Sequence, residues 1–289
     1  MKKILILLIG VLSALVLITT SCDKIEGPYK ETGGSGVTGD TVRKLLFEDY
    51  TGHQCVNCPS AHVTIAELHQ VYGDRMVTVA IHTSSFADMS FPPYDADYKT
   101  ADGEELSLFF GGTTAPLPKG MVNRTKVNGS YLIEKAEFGT EVSKVLDSLD
   151  EKPDLYIEIK PVFSGGSTFD LEVKITAMKD MPAGKYNLSV LITESDIISA
   201  QMNIDPNINN GDDVMDYHHN HVLRGAANTA WGEEFATSIS NGQTYTKSYT
   251  NIPFDAEWNA DNISIVAFAY FADGPNEKSV IQAQEVKLK

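Results

Sequence analysis

Hydrophobic and polar positions along the chain follow two different patterns. In the first, VRKLLFEDYTG at 42–52 is apolar through its centre and stops at a Thr-Gly turn, which predicts a buried strand. From Cys58 to Tyr72 the apolar residues Ala61, Ile65, Leu68 and Val71 recur at steps of three and four, the spacing of one helix face. Pro59 suits the first helical turn, where its missing N–H costs nothing. MVTVAIH at 76–82 predicts a second strand, 84–103 a long loop bearing Phe, Pro and Tyr, and EELSLFFGG a short helix. GMVNRTKVNGSYL predicts two strands around a turn, and IEKAEFGTEVSKVLDSL a closing helix. The order is βαβ, then αββα.

Beyond residue 150 the second pattern begins. DLYIEIKPVFSG, TFDLEVKITAM, KYNLSVLITES, QTYTKSYTNI, NISIVAFAYFA and SVIQAQEVKL alternate or run apolar, separated by Gly, Pro, Asn or Asp turns. Short strands at this spacing predict an antiparallel, all-β sandwich of the immunoglobulin-like kind. The boundary is expected at the KPD of 152–154, dividing the chain into an α/β domain at 42–151 and a sandwich at 152–289.

The N-terminus changes the picture. Lys2 and Lys3, an apolar run from Ile4 to Ile18, small polar residues and then Cys22 form a charged, an apolar and a cleavage region. The run is shorter than the roughly 20 residues that span a bilayer. A cysteine directly after the small residues resembles a bacterial lipoprotein signal, which implies a signal peptide at 1–21 and lipidation of Cys22. A soluble protein cut nearby is the competing reading. Residues 22–41, rich in Gly, Thr and charge, read as a flexible tether. The expected location is the cell envelope, with a lipid anchor to a membrane.

With a formal charge of −16 the chain offers no basic patch for nucleic acid or anionic lipid. No cofactor is expected. Three cysteines are present, and lipidation of Cys22 leaves Cys55 and Cys58, both in TGHQCVNCPSAH at 51–62. In an exported compartment such a pair is more prone to oxidation or redox work than in a cytosol. A zinc site lacks the usual second CxxC, although His53 and His62 are available.

A CxxC at the first strand-to-helix junction resembles the thioredoxin-like domain over about residues 42–150. Asp49, six residues before Cys55, matches that family's buried carboxylate, which relays a proton to the second cysteine; Glu48 competes for the position. Pro118 in PLPKGMVN matches its cis-proline facing the disulfide, with Pro116 the alternative. HQCVNCP departs from the family's WCGPC, losing the tryptophan and the intervening proline, which puts general reductase activity in doubt. The signal, FEDYTGHQCVNCP, PKGMVNR and YHHNHVLR together resemble the twenty-eight-kilodalton outer-membrane-protein family of Bacteroidetes, over nearly the whole mature chain. That resemblance implies an outer-membrane lipoprotein.

Cys55 is the expected nucleophile, because a helix N-terminus stabilises a thiolate. Cys58 is expected to resolve the mixed disulfide. The partners would be cysteine-containing exported proteins and a redox partner. The alternative is a non-catalytic binding or scaffold lipoprotein whose Cys55–Cys58 bridge is structural. Peptide or glycan capture by the sandwich has no specific residues behind it. A protonated His53 could favour the thiolate, but a solvent-facing turn position is the plainer expectation. His62 and His69 share a helix side and have no carboxylate partner in view, which reads as exposed or edge positions. His82 ends a strand beside the long loop, a place for a groove residue or a plain hydrogen-bonding role.

NINNGDDVMDYHHNHVLRGAANTAWGE at 207–233 is too long for a hairpin. It gathers Asp212, Asp213, Asp216, His218, His219 and His221, a mixture able to ligate a divalent metal, but its spacing fits no specific site. His218 and His219 point to opposite sides of an extended chain. An ordered loop anchored by Tyr217, Val222 and Trp231, packed on the first domain or capping the sandwich, is the favoured expectation.

Overall fold

A computed structural model describes residues 42–147 and 152–289. The signal peptide, Cys22 and the tether lie outside the described residues, as does 148–151, just before the expected boundary. The described chain is mostly β, with a few helices and mixed sheets.

The first strand, β1 (Leu45–Thr51), is buried at every position and lies parallel to β2 (Met76–His82), with Asp49 opposite Ala80. Between them runs α1 (Cys58–Tyr72), with Cys58, Pro59, Ala61 and Ile65 buried. Val71 departs from the apolar stripe predicted for it and is 66 % exposed. Next come α2 (Ala101–Phe110), whose N-terminus Thr100 caps by accepting from the Gly103 N–H, and β3 (Lys119–Val122), antiparallel to β1. The second strand expected in GMVNRTKVNGSYL does not form. Asn123 and Arg124 take left-handed backbone conformations (φ 49° and 51°), which ends β3, and only isolated bridges, Val127–Ser130 and Gly120–Ile133, remain. The closing helix, α3, spans Phe138–Leu146.

All six strands expected beyond residue 150 form: β4 (Leu155–Val162), β5 (Thr168–Ala177), β6 (Tyr186–Glu194), β11 (Thr244–Pro253), β12 (Ile263–Phe271) and β13 (Val280–Lys287). Four more were not foreseen: β7 (Ile197–Gln201), β8 (Val214–His219), β9 (Val222–Ala226) and β10 (Glu233–Ala236). The segment 207–233 is therefore only partly loop. Within it β8 pairs with β7, while β9 enters the main sheet.

That sheet has eight strands in the order β13-β12-β6-β9-β2-β1-β3, with β10 added on β6. It takes strands from both sides of residue 152, because β9 pairs parallel to β2 on one edge and antiparallel to β6 on the other. A three-stranded sheet, β11-β5-β4, covers one face of its C-terminal half. Alternation in β6 and β12 serves both faces. Leu188, Val190, Ile265 and Ala267 pack against the three-stranded sheet, whereas Leu191, Val266, Phe268 and Tyr270 share a core with Leu46, Val79, Cys55 and Cys58. The cysteine turn is thus packed against residues from far along the chain.

Candidate functional site

β1 delivers the chain to the N-terminus of α1, and the turn between them holds a Cys55–Cys58 disulfide with the two Cα atoms 5.4 Å apart. Cys55 N–H bonds to the Gly52 carbonyl and Cys58 N–H to that of Cys55, so the turn is closed by its own backbone. Cys55 is 2 % exposed and Cys58 fully buried. The cover comes from the end of β7 and the segment that follows it. Gln201 donates from Nε2 to the Gly52, Cys55 and Met202 carbonyls, Met202 N–H bonds to His53 O, and Ile204 N–H to Val56 O. Residues 201–204 therefore lie as a strap along 52–56. No signal in the sequence marks Gln201 for this role.

The two acidic neighbours on β1 separate cleanly. Glu48 is fully buried and accepts both Nε and Nη2 of Arg124, itself fully buried, at 2.9 and 2.7 Å. The Arg124 guanidinium also lies over the rings of Phe268 and Phe110, 4.7 and 5.2 Å from their centres. Asp49 points to the cysteine-helix side. It is 2 % exposed, its Oδ2 lies 3.2 Å from His62 Nε2, and its Oδ1 has no hydrogen-bond partner. The expectation that His62 lacks a carboxylate partner is therefore corrected. Its Nε2 also meets Thr51 Oγ1 at 3.0 Å, and its Nδ1 lies 2.6 Å from the Tyr217 hydroxyl. His69 is likewise engaged, with Nε2 2.9 Å from Thr78 Oγ1 and its ring stacked on that of His221.

His53 is not solvent-facing. It is fully buried beside the rings of Tyr94 and Tyr98, with Nε2 3.3 Å from the Tyr94 carbonyl. Burial is the largest influence and lowers its pKa, against the raising effect of the Tyr94 carbonyl. A charged His53 beside the thiolate is therefore disfavoured. His82 is fully enclosed as well, packed against Tyr98 and His219, and burial pushes its pKa well below 6.5. Burial also lowers His219, to about 3. All seven histidines of the chain thus belong to one region built by β1, α1, β2 and β8 or to its immediate edge. A cavity of about 50 Å³ opens there, lined among others by Asp49, His62, His82, Tyr217 and His219.

Leu117, in the same core cluster as both cysteines, precedes Pro118 through a cis peptide bond. The residues proposed for metal are each engaged elsewhere or do not converge. His218 pairs with Asp196, His219 is buried, and His221 stacks on His69. Asp213 accepts from Tyr94 and from the Asn203 N–H, while Asp216 is exposed. Among the described residues no group of three or more His, Cys, Asp or Glu is arranged to hold a metal ion. Tyr217 and Val222 anchor the segment, both buried, while Trp231 is partly exposed and packs edge-on to Phe109.

The sequence profile of the outer membrane protein Omp28 family matches residues 106–289, well over half of the chain. The chain belongs to the Omp28 family. An outer-membrane family places it in the cell envelope, in agreement with the lipid-anchored location that the N-terminal sequence predicts. The matched span begins beyond the cysteine turn. Among solved structures, HBP35 of Porphyromonas gingivalis resembles the fold with a TM-score of 0.64 at 16 % identity, over 87 % of this chain and 77 % of that one. A crystal structure of a domain of the outer membrane lipoprotein Omp28 from Porphyromonas gingivalis is 26 % identical, over 47 % of this chain and 89 % of that one, with a TM-score of 0.31. No curated protein matches the chain.

Proposed function

We propose that this Omp28-family protein is an envelope thiol–disulfide oxidoreductase, attached through lipid on Cys22 and acting on cysteines of exported proteins. The observation that carries the reading is the Cys55–Cys58 pair at the N-terminus of α1, with the buried carboxylate of Asp49 on the preceding strand. In this reading 42–151 is a thioredoxin-like unit, with α1 connecting the parallel strands β1 and β2, and 152–289 is an immunoglobulin-like sandwich fused to it through β9. Cys55 attacks the substrate disulfide, its thiolate favoured by the backbone N–H groups of the first helical turn. Cys58 resolves the mixed disulfide, with Asp49 accepting its proton. Pro118, which follows Leu117 through a cis peptide bond, would face the substrate chain in this reading.

Exchange requires the 201–204 strap to lift, because Cys55 is covered. The same covering favours a second reading, in which the bridge is structural and the protein is a non-catalytic scaffold. A trapping experiment separates them. With Cys58→Ser the exchange reading predicts stable mixed disulfides between Cys55 and envelope proteins, seen as bands that a reductant removes and absent from the Cys55→Ser chain. No such adduct in either variant is the outcome expected of a structural bridge.

A further inference from the structure

Asp49 is 2 % exposed, and the titratable side chain paired with its carboxylate also reaches the surface. That side chain is His62, one helical turn beyond Cys58 on the same face of α1 and 20 % exposed. An imidazole can take a proton on one nitrogen and release it from the other, and the two nitrogens of His62 face different groups. Nε2 meets Asp49 Oδ2 at 3.2 Å, and Nδ1 meets the Tyr217 hydroxyl at 2.6 Å. Asp49, His62 and Tyr217 all border the one cavity. We propose that His62, oriented by Tyr217, carries protons between Asp49 and the solvent-connected cavity during disulfide exchange. This rests on the exchange reading and adds a residue to it.

The step balances as follows. After Cys55 has attacked a substrate disulfide, the Cys58 thiol gives its proton to Asp49, and Cys58 Sγ forms a bond to Cys55 Sγ. The bond between Cys55 Sγ and the substrate sulfur breaks, and the departing thiolate takes a proton from water. The substrate disulfide gains two electrons and the cysteine pair loses them. Asp49 then passes its proton to His62 Nε2, and the Nδ1 proton leaves toward the Tyr217 hydroxyl and the cavity. A thiol reductant such as dithiothreitol resets the pair.

The titratable groups facing His62 are Asp49 from β1, His82 from β2, Tyr217, His218 and His219 from β8, and His221 from the turn behind it. Burial holds the pKa of His82 well below its ordinary value and that of His219 at about 3, so neither competes as a proton carrier near neutral pH. His62 is thus the imidazole placed to take a proton from the carboxylate on one nitrogen and release it from the other beside Tyr217. Its role is positioning and proton relay, since it acts through Asp49 and not on a sulfur.

The test uses the full mature chain, reduced and in detergent, turning over a fluorophore-labelled glutathione disulfide across pH 5 to 9. His62→Gln is expected to slow resolution of the mixed disulfide on the order of tenfold and to change the shape of the pH profile. Alkylation of Cys55 by iodoacetamide should keep its rate. Tyr217→Phe, which leaves the Asp49 contact, should lose less. With His62→Ala, added imidazole buffers should restore the rate in an order set by buffer pKa, a response that repair of packing alone does not give. If the wild-type chain turns over and the variants share its pH profile, the relay is wrong while exchange stands. If the wild-type chain is inert at every pH, the exchange reading falls and takes the relay with it.

Discussion

Mild acid should destabilise the protein through two histidines that cannot be charged where they sit. His82 is 3 % exposed and neither of its ring nitrogens has a hydrogen-bond partner. His219 is 2 % exposed with Nε2 unsatisfied, and burial, reinforced by His62 and His53, lowers its pKa to about 3. In the unfolded chain each takes a proton near pH 6.5, so between 6.5 and the folded value the unfolded state binds more protons. Stability is therefore complete above pH 6.5 and is lost as pH falls, levelling off only below the folded pKa. At about 1.4 kcal/mol per pH unit, His219 alone removes roughly 2 kcal/mol between pH 6.5 and 5.0, and His82 adds a loss in the same window. That is a large part of a typical stability of about 5–15 kcal/mol. Urea unfolding at pH 7.5 and 5.0 measures it, in a range mostly above the carboxylate titrations. His219→Gln should recover about 2 kcal/mol of the wild-type difference, whatever the substitution costs at pH 7.5. A variant that loses as much as wild type between the two pH values would refute the assignment.

Three further outcomes follow from named contacts. Glu48→Gln breaks the buried ion pair and strands the Arg124 guanidinium, so it should cost about 3–5 kcal/mol in urea unfolding, more than the paired replacement Glu48→Leu with Arg124→Leu; a single variant no worse than the double contradicts this. Gln201→Ala removes two side-chain hydrogen bonds that tie the strap to the cysteine turn, and dithiothreitol should then reduce the disulfide about tenfold faster, measured by thiol labelling. Gly52→Ala would put a methyl 2.4 Å from the Phe86 carbonyl oxygen, which accepts from the Gln54 N–H, so thermal unfolding should shift down by the equivalent of about 1–3 kcal/mol.

Legibility in the sequence followed the origin of each element's pattern. The strands β4, β5 and β11 have one face against a core and the other in water, which imprints alternation that can be read directly. By contrast β9 is five residues, VLRGA, containing Arg224 and Gly225, and it is a strand because β2 and β6 lie on either side of it. Its own residues carry no such signal. Cys55 and Cys58 stand out by their own spacing, Asp49 and Pro118 only through the thioredoxin resemblance, and nothing in the sequence foretells that Arg124, some seventy residues away, pairs with the competing Glu48. His62 looked unpartnered because its neighbours come from β1 and β8, and helix periodicity says nothing of what descends on a face. His53 was misread for the same reason: its burial is supplied by Tyr94 and Tyr98 in the long loop.

The reduction potential of the Cys55–Cys58 pair tests the central claim most directly. The mature chain is equilibrated in glutathione buffers of graded potential, and the fraction reduced is read by thiol alkylation. A thiolate stabilised at the N-terminus of α1 predicts a value in the range of working oxidoreductases, about −270 to −120 mV. A pair still oxidised below roughly −300 mV would contradict exchange and make the bridge a structural closure of the cysteine turn itself.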